Sequence, residues 1–303
     1  MVKKHKYDEL LVKGKKAFGE KNLQEALSYF LRACLYDKGK KDIELLLDIA
    51  LIYDEIEDYK KSEDTYNEIL KLDNEESRAY YGIGVLYDNS KNYSKAIEYY
   101  KKAVSINKNY DRAYFFMANA YDEIGEKDKA IKYYKEVINI IDSDFWAHLN
   151  LSSIYEEIED YDKALVEADK SLDIIHDHYM ALFNKAVILR KKHNIDKAIE
   201  YYKKSIKANL GYGYSFLNLA VIYKEKQDYN KAIKIISQGI VYNPSMPSLY
   251  YNRACFYALM KNKEKSCNDL KKAIELLPWF KEYVKSDEEL KDIWPLVIKH
   301  KEG

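Results

Sequence analysis

Proline is almost missing from this chain. All four, Pro244, Pro247, Pro278 and Pro295, fall in the last 60 residues, and only 10 glycines are spread over 303 positions. Long β architectures need frequent Gly and Pro turns, so an almost entirely helical protein is expected. Cysteine is equally scarce, at three, which excludes a disulfide scaffold and fits a reducing compartment, with a cytoplasmic location as the expectation. An excess of positive charge is missing too: Lys+Arg is 50 and Asp+Glu is 50. A general nucleic-acid binder draws its affinity from neutralising phosphates, so no nucleic-acid partner is expected. No apolar run reaches the roughly 18 residues that a membrane-spanning helix needs. The opening Met1-Val-Lys-Lys-His-Lys-Tyr-Asp-Glu is basic but leads into no apolar stretch, so no signal peptide is read there, and residues 1–6 are taken as a short leader. What the chain has in quantity is tyrosine, 31 residues, within a 47% hydrophobic composition. That is enough apolar side chain for a large core and too much for a disordered chain.

The sequence repeats itself. Tyr93-Ser-Lys-Ala-Ile-Glu-Tyr-Tyr-Lys-Lys-Ala returns as Lys127-Asp-Lys-Ala-Ile-Lys-Tyr-Tyr-Lys-Glu-Val and as Ile195-Asp-Lys-Ala-Ile-Glu-Tyr-Tyr-Lys-Lys-Ser. Aligned on Ala96, a column of small residues appears: Ala26, Ser62, Ala96, Ala130, Ala164, Ala198, Ala232 and Ser266, spaced 36 once and then 34. A second small column lies twelve residues earlier: Gly14, Ala50, Gly84, Ala118, Ser152, Ala186, Ala220 and Ala254. Between them runs an aromatic column, Tyr53, Tyr87, Tyr121, Tyr155, Tyr223 and Tyr257, broken by Ala17 and Leu189. Each unit holds two stretches of helical periodicity joined by a short polar turn such as Asn89-Ser-Lys-Asn92. Asp58, Asn92, Asp160, Asn194 and Asp228 stand where the second stretch needs an N-cap. The small columns let the two helices cross closely, and larger residues there would overpack at about 1–3 kcal/mol.

These columns resemble those of the tetratricopeptide repeat (TPR) family, whose unit is a 34-residue helix–turn–helix. The third unit carries the family pattern as Tyr80, Ile83-Gly84, Tyr87, Ala96, Tyr100 and Ala103; the last carries it as Tyr250, Arg253-Ala254, Tyr257, Ser266, Leu270, Ala273 and Pro278. The resemblance covers residues 7–278 in eight units, beginning at Tyr7, Ile43, Ser77, Asp111, Phe145, Tyr179, Gly213 and Pro247. It implies an all-α fold, a right-handed superhelical α-solenoid. The chain departs from the pattern in three places. The unit-ending Pro survives only as Pro244 and Pro278, Lys13 replaces the usual Leu, and the junction Asp37-Lys-Gly-Lys-Lys-Asp42 is two residues longer. Beyond Pro278, residues 279–303 are expected to form capping helices: one over Trp279–Val284, and a second opening at the capping-box sequence Ser286-Asp-Glu-Glu289 and ending before Pro295. Phe280, Tyr283, Val284, Leu290 and Ile293 would cover the last repeat's open face, as a solenoid end requires.

Chemistry-bearing motifs are weak. His176-Asp-His178 sits in an inter-unit loop without the four ligands of a closed zinc site. Asp160-Tyr-Asp162 lacks the Gly and the bidentate Glu of a calcium loop. Gly82-Ile-Gly84 lacks the third Gly of a dinucleotide fingerprint and lies inside a helix. Cys34, Cys255 and Cys267 read as small buried hydrophobes, with Cys255 the one that would face a groove. No catalytic constellation, metal or cofactor is expected, and the chain is read as a non-enzyme.

In the resembling family the first helix of every unit lines a concave groove. Its apolar column here is Leu11, Leu47, Tyr81, Phe115, Leu149, Phe183, Leu217 and Tyr251. The family's clamp for acidic chaperone tails needs Lys in that column, and none is there. A second column holds Asn150, Asn184, Asn218 and Asn252, an amide ladder resembling those that grip extended peptides, since an amide both donates to and accepts from a backbone. Charge forms a third feature: Asp54-Glu55, Asp88, Asp122-Glu123 and Glu156-Glu157 give way to Arg190-Lys191 and Lys224. Residues 41–178 hold 17 Lys+Arg against 32 Asp+Glu, and the rest 33 against 18. The expected peptide-binding groove therefore comprises Arg78, Tyr81, Asp88, Arg112, Phe115, Asn119, Asp122, Trp146, Asn150, Glu156, Phe183, Asn184, Arg190, Tyr214, Asn218, Lys224, Tyr251 and Asn252. The expectation is an interaction scaffold for another protein, binding an extended peptide or an amphipathic helix. The alternative is a peptide-sensing regulatory protein.

Overall fold

A computed structural model describes residues 2–299. The described residues form eighteen α-helices and no strand. Two compact units divide the chain, Met1–Ala147 and His148–Gly303. The first holds α1 Val2–Gly19, α2 Leu23–Ala33, α3 Ile43–Glu55, α4 Tyr59–Leu72, α5 Ser77–Asn89, α6 Tyr93–Ile106, α7 Asp111–Glu123 and α8 Lys127–Ile140. The division falls within α9, Phe145–Glu157. The second unit continues with α10 Tyr161–Ile174, α11 Tyr179–Lys191, α12 Ile195–Ala208, α13 Gly213–Glu225, α14 Tyr229–Tyr242, α15 Pro247–Leu259 and α16 Lys263–Leu276. It ends with α17 Phe280–Tyr283 and α18 Trp294–Lys299. Residues 2–6, expected as a leader, belong to α1: the Lys-rich start carries no helix breaker, so the helix runs back to Val2.

Helices pack in consecutive pairs, α1 on α2, α3 on α4, α5 on α6, α7 on α8, α11 on α12, α13 on α14 and α15 on α16; α3, α5 and α7 stand side by side, as do α13 and α15. The small columns set the spacing. Gly84 has no room for a side chain, since a Cβ would lie 2.5 Å from the Tyr100 ring. Where the column carries Ser, its hydroxyl finds a carbonyl twelve residues away: Ser62 donates to Ala50 at 2.8 Å, Ser266 to Ala254 at 2.8 Å, and Ser152 to Ala164 at 3.0 Å. A buried hydroxyl is thereby satisfied without a cavity. The Tyr column lies under lysines eight residues on, such as Lys95 over Tyr87 at 4.8 Å and Lys231 over Tyr223 at 4.2 Å.

The turns inside the repeats share one conformation. Lys21, Glu57, Lys91, Glu159, His193, Gln227 and Lys261 all have φ near +60°, and the corresponding residue between α7 and α8 is Gly125. A left-handed residue is the ordinary helix terminator, but only Gly adopts it without steric penalty. The residue after it then caps the second helix: the side chains of Asp58, Asn92, Asp160, Asn194 and Asp228 each accept the amide three residues on. The longer first junction is absorbed by a 3₁₀ turn at Gly39–Lys41, with Gly39 buried against the Ala33 carbonyl.

The C-terminal segment differs from expectation. No helix opens at Ser286. Its hydroxyl turns back to the Tyr283 carbonyl at 3.0 Å, and Asp287 is drawn elsewhere. A 3₁₀ turn at Val284–Ser286 and further turns lead to α18, which begins at Trp294. Pro295 therefore starts the final helix rather than closing one, consistent with its fixed φ and missing N–H suiting a first turn. Phe280, Val284, Leu290 and Ile293 are buried in the core of the second unit, whereas Tyr283 stays 47% exposed. Residues 300–303 of the expected cap lie outside the described residues. Among the described residues, no helix is long and apolar enough to cross a membrane.

Candidate functional site

The expected groove residues all lie on odd-numbered helices, some in each compact unit. In the first unit, Tyr81 is half-buried among Tyr100, Tyr110 and Phe116, at centroid distances of 5.9, 5.1 and 6.0 Å. Burial pushes its phenol up to about 12. Phe115 sets its edge against Tyr134 at 5.6 Å. Trp146 leaves 48% of its surface exposed. The polar members are engaged within the protein. Asp88 accepts the Tyr100 hydroxyl at 3.0 Å, Asn119 accepts the Tyr134 hydroxyl, and Asp122 pairs with Lys127 at 2.6 Å. Burial raises the carboxyls of Asp54 and Asp88, against the opposing pull of hydrogen bonds from Asn89 and Tyr100 respectively. Arg78 is a clamp between repeats: its fork holds both oxygens of Glu44, 34 residues back, together with Glu76. Arg112 is exposed on α7.

In the second unit, Phe183 is half-buried with its edge on Tyr202 at 5.7 Å and Tyr212 at 5.2 Å, and Tyr214 is 52% exposed. The asparagine column uses donors locally. Asn184 donates to the Ser153 hydroxyl on α9 at 2.8 Å. Asn218 and Asn252 donate back within their own helices, to the Tyr214 carbonyl at 3.0 Å and the Ser248 carbonyl at 2.9 Å. Asn150 is half-buried at the start of the column. Arg190 pairs with Glu225 at 2.5 Å. The Glu156 carboxyl is raised, chiefly by burial, with Lys191 opposing.

Two expected groove residues are corrected by the C-terminal segment. Tyr251 is 5% exposed, stacked on Phe280 at 4.6 Å, and its hydroxyl donates to Asp287 at 2.5 Å. Lys224 pairs with Glu289. Turns without helical periodicity carry Asp287 and Glu289 onto this face, so nothing in the repeat register announces the contact. Cys255 lies in the same place, and its thiol, Asp287 and Glu289 have ligand atoms within 4.8 Å of one another. This trio is a poor metal site. Lys224 and Tyr251 already serve the two carboxylates, and burial pushes the thiol far above its ordinary range, whereas a metal needs the thiolate.

The sequence reading missed the second helices. Tyr100, Tyr134 and Tyr202 reach from α6, α8 and α12 to the first-helix face. Tyr100 follows Asp88 by twelve residues, and Tyr202 follows Arg190 by the same interval, a spacing that could have flagged them. His148 was also missed: it is 3% exposed and its Nδ1 lies 2.6 Å from Glu167, which that contact and Lys170 hold below the usual carboxylate range despite burial. His176 bonds the Leu172 carbonyl at 2.7 Å, and neither it nor His178 joins a cluster of metal-ligating groups among the described residues.

Comparison with known proteins agrees with this geometry. Solved structures share the fold at low identity. A tetratricopeptide repeat protein from Parabacteroides merdae is similar at a TM-score of 0.64 and 17% identity, over 84% of this chain and 98% of that one. A chain of the APC/C hetero-tetramer Cut9–Hcn1 is similar at 0.59 and 16%, over 95% of this chain; the present protein spans 55% of its length. The MamA protein is similar at 0.51 and 23%, over 55% of this chain and 91% of that one. No curated protein matches the chain in sequence. The tetratricopeptide repeat models match residues 43–76, 77–110, 111–144, 181–212, 214–245 and 247–278, more than half of the sequence. With that coverage and paired helices in the same register, the chain belongs to the tetratricopeptide repeat family.

Proposed function

We propose that this protein is a non-enzymatic scaffold that recognises an extended peptide or a helix of another protein with the first-helix face of its repeats. Repeats of this family serve protein interaction in general and are generally non-catalytic. The observation that carries the finer reading is the aromatic surface left on odd-numbered helices: half-exposed Trp146 in one compact unit and Tyr214 in the other, with half-buried Tyr81, Phe115 and Phe183 on α5, α7 and α11. Aromatic anchors with little rotamer freedom to lose are the usual hot spots of such surfaces. A cytoplasmic location belongs to the same proposal.

The test is partner capture from the source cell, followed by binding measurements with purified partner on single variants. Phe115→Ala and Phe183→Ala should lose affinity, while Lys234→Ala, on an even-numbered helix, should keep it. The reverse pattern would move the interface to the opposite face and remove this reading.

A further inference from the structure

Inside the array, a second helix is followed by a full first helix. The 13-residue α13 follows α12 in this way, and its Leu219 and Tyr223 line a furrow with Lys203 and Ile206 of α12. Lys271 and Ile274 hold the same register on α16, two repeats later. The element that follows them is α17, only four residues long. A single helical turn cannot fill the length of a 13-residue helix. α18 packs back against α16, and a cleft of about 670 Å³ lined from α16, the α17 segment and α18 stays open, against about 550 Å³ for the furrow beside α13. Ile274 and Val297 in its lining are buried, Trp294 is half-buried, and Ile298 leaves 45% of its surface exposed. The charges around this apolar surface are unequal. Glu275 pairs with Lys272 at 3.0 Å and Glu282 with Lys285 at 2.6 Å. Lys271 and Lys281 also line the cleft, and neither holds a carboxylate among the described residues.

We propose that this cleft binds an anionic amphiphile, a medium-chain carboxylate, with its alkyl tail against Ile274, Trp294, Val297 and Ile298 and its head on Lys271 and Lys281. The cleft has the size of a small-molecule site, roughly 300–1,000 Å³, and the matching make-up of an apolar lining with few polar groups. Charge complementarity selects the head. The two carboxylates at the cleft already have lysine partners, so the charge left over is positive. Lysine stems extend an apolar wall while their ammonium groups stay in water, and there they meet a carboxylate through charge-assisted hydrogen bonds. The site belongs to α16 and the C-terminal segment and does not depend on the first-helix face.

The test titrates the full chain with decanoate, decanol and hexanoate by calorimetry, with the melting temperature as a second readout. Decanoate should bind about tenfold tighter than decanol, as expected for hydrogen bonds to a charged group, and should raise the melting temperature. Each methylene removed should weaken binding about fourfold, the factor for one buried CH₂, so hexanoate should bind far more weakly. Lys271→Gln combined with Lys281→Gln should erase the preference over decanol. Ile298→Glu, at a half-exposed position, should weaken decanoate about tenfold or more by setting a carboxylate in the apolar wall. Phe183→Ala should leave decanoate binding unchanged. Equal affinity for decanoate and decanol, or decanoate binding undiminished in both the lysine and the Ile298 variants, overturns the site. Absence of decanoate binding overturns it too; if the chain then self-associates and Ile298→Glu makes it monomeric, the cleft is an interface between copies. Binding that appears only after removal of residues 300–303 assigns the cleft to the chain's own end and likewise overturns the proposal.

Discussion

The hydroxyl of Tyr251 on α15 donates to the carboxylate of Asp287, 36 residues later, at 2.5 Å. The contact fastens the C-terminal segment across the first-helix face of the last repeat, with Phe280 stacked on the same ring. Tyr251→Phe removes the donor while keeping the stack, and should lower unfolding stability by about 1.5–3 kcal/mol, the range for a hydrogen bond to a charged group. Deleting residues 279–303 removes the buried Phe280, Val284, Leu290 and Ile293 as well, and should lower the urea midpoint further and reduce solubility. A truncated chain with an unchanged midpoint would show that the segment is not a cap.

Phe183→Ala should weaken partner binding by about 2 kcal/mol or more if the ring is a central anchor. The ring also supports Tyr202 and Tyr212, so some loss of folding stability is expected alongside. Melting and binding measured on the same variant separate the two. Affinity that returns to the parent value once the folded fraction is corrected would make Phe183 a packing residue only.

Lys91 holds the left-handed conformation at φ 59° in the turn between α5 and α6. Glycine carries no Cβ penalty there. Lys91→Gly should therefore stabilise the protein by about 0.5–1 kcal/mol in equilibrium denaturation, despite the greater freedom it gives the unfolded chain. The same exchange at Ser94, one residue into α6, should destabilise by a similar amount.

Asp54 is half-buried, and burial, reinforced by the charge of Glu55, raises its carboxyl above the ordinary value. The native state then keeps this proton to a higher pH than the unfolded chain does. Stability should fall as pH rises through the window between the ordinary and the raised value, and the penalty should persist at neutral pH. Asp54→Asn should raise the urea midpoint at neutral pH. The gain should vanish below the ordinary carboxylate range, where both states are protonated. A gain that is constant with pH would point to packing instead of ionisation.

Much of the fold was legible because a 34-residue repeat is a local code. Ala96, Gly84 and their column mates encode how closely two adjacent helices cross, and Asn92 encodes where the second begins. Each of these acts on neighbours within about a dozen positions, so a linear reading captures it. The charge column was legible for the same reason, as was the row Tyr81, Phe115 and Phe183.

The rest was decided by packing. Arg78 reads as a groove cation, yet its fork is committed to Glu44 on the preceding repeat. Asn184 reads as a peptide clamp, yet it donates to Ser153 on α9. Nothing in Ser286-Asp-Glu-Glu289 distinguishes a capping box from a turn. Only the approach of Tyr251 and Lys224 draws Asp287 and Glu289 across the face. The sequence by itself determined the helices, their pairing and their period, because those depend on short-range periodicity and caps. Tertiary structure decided which polar groups are already satisfied, because that depends on the distance between atoms far apart along the chain.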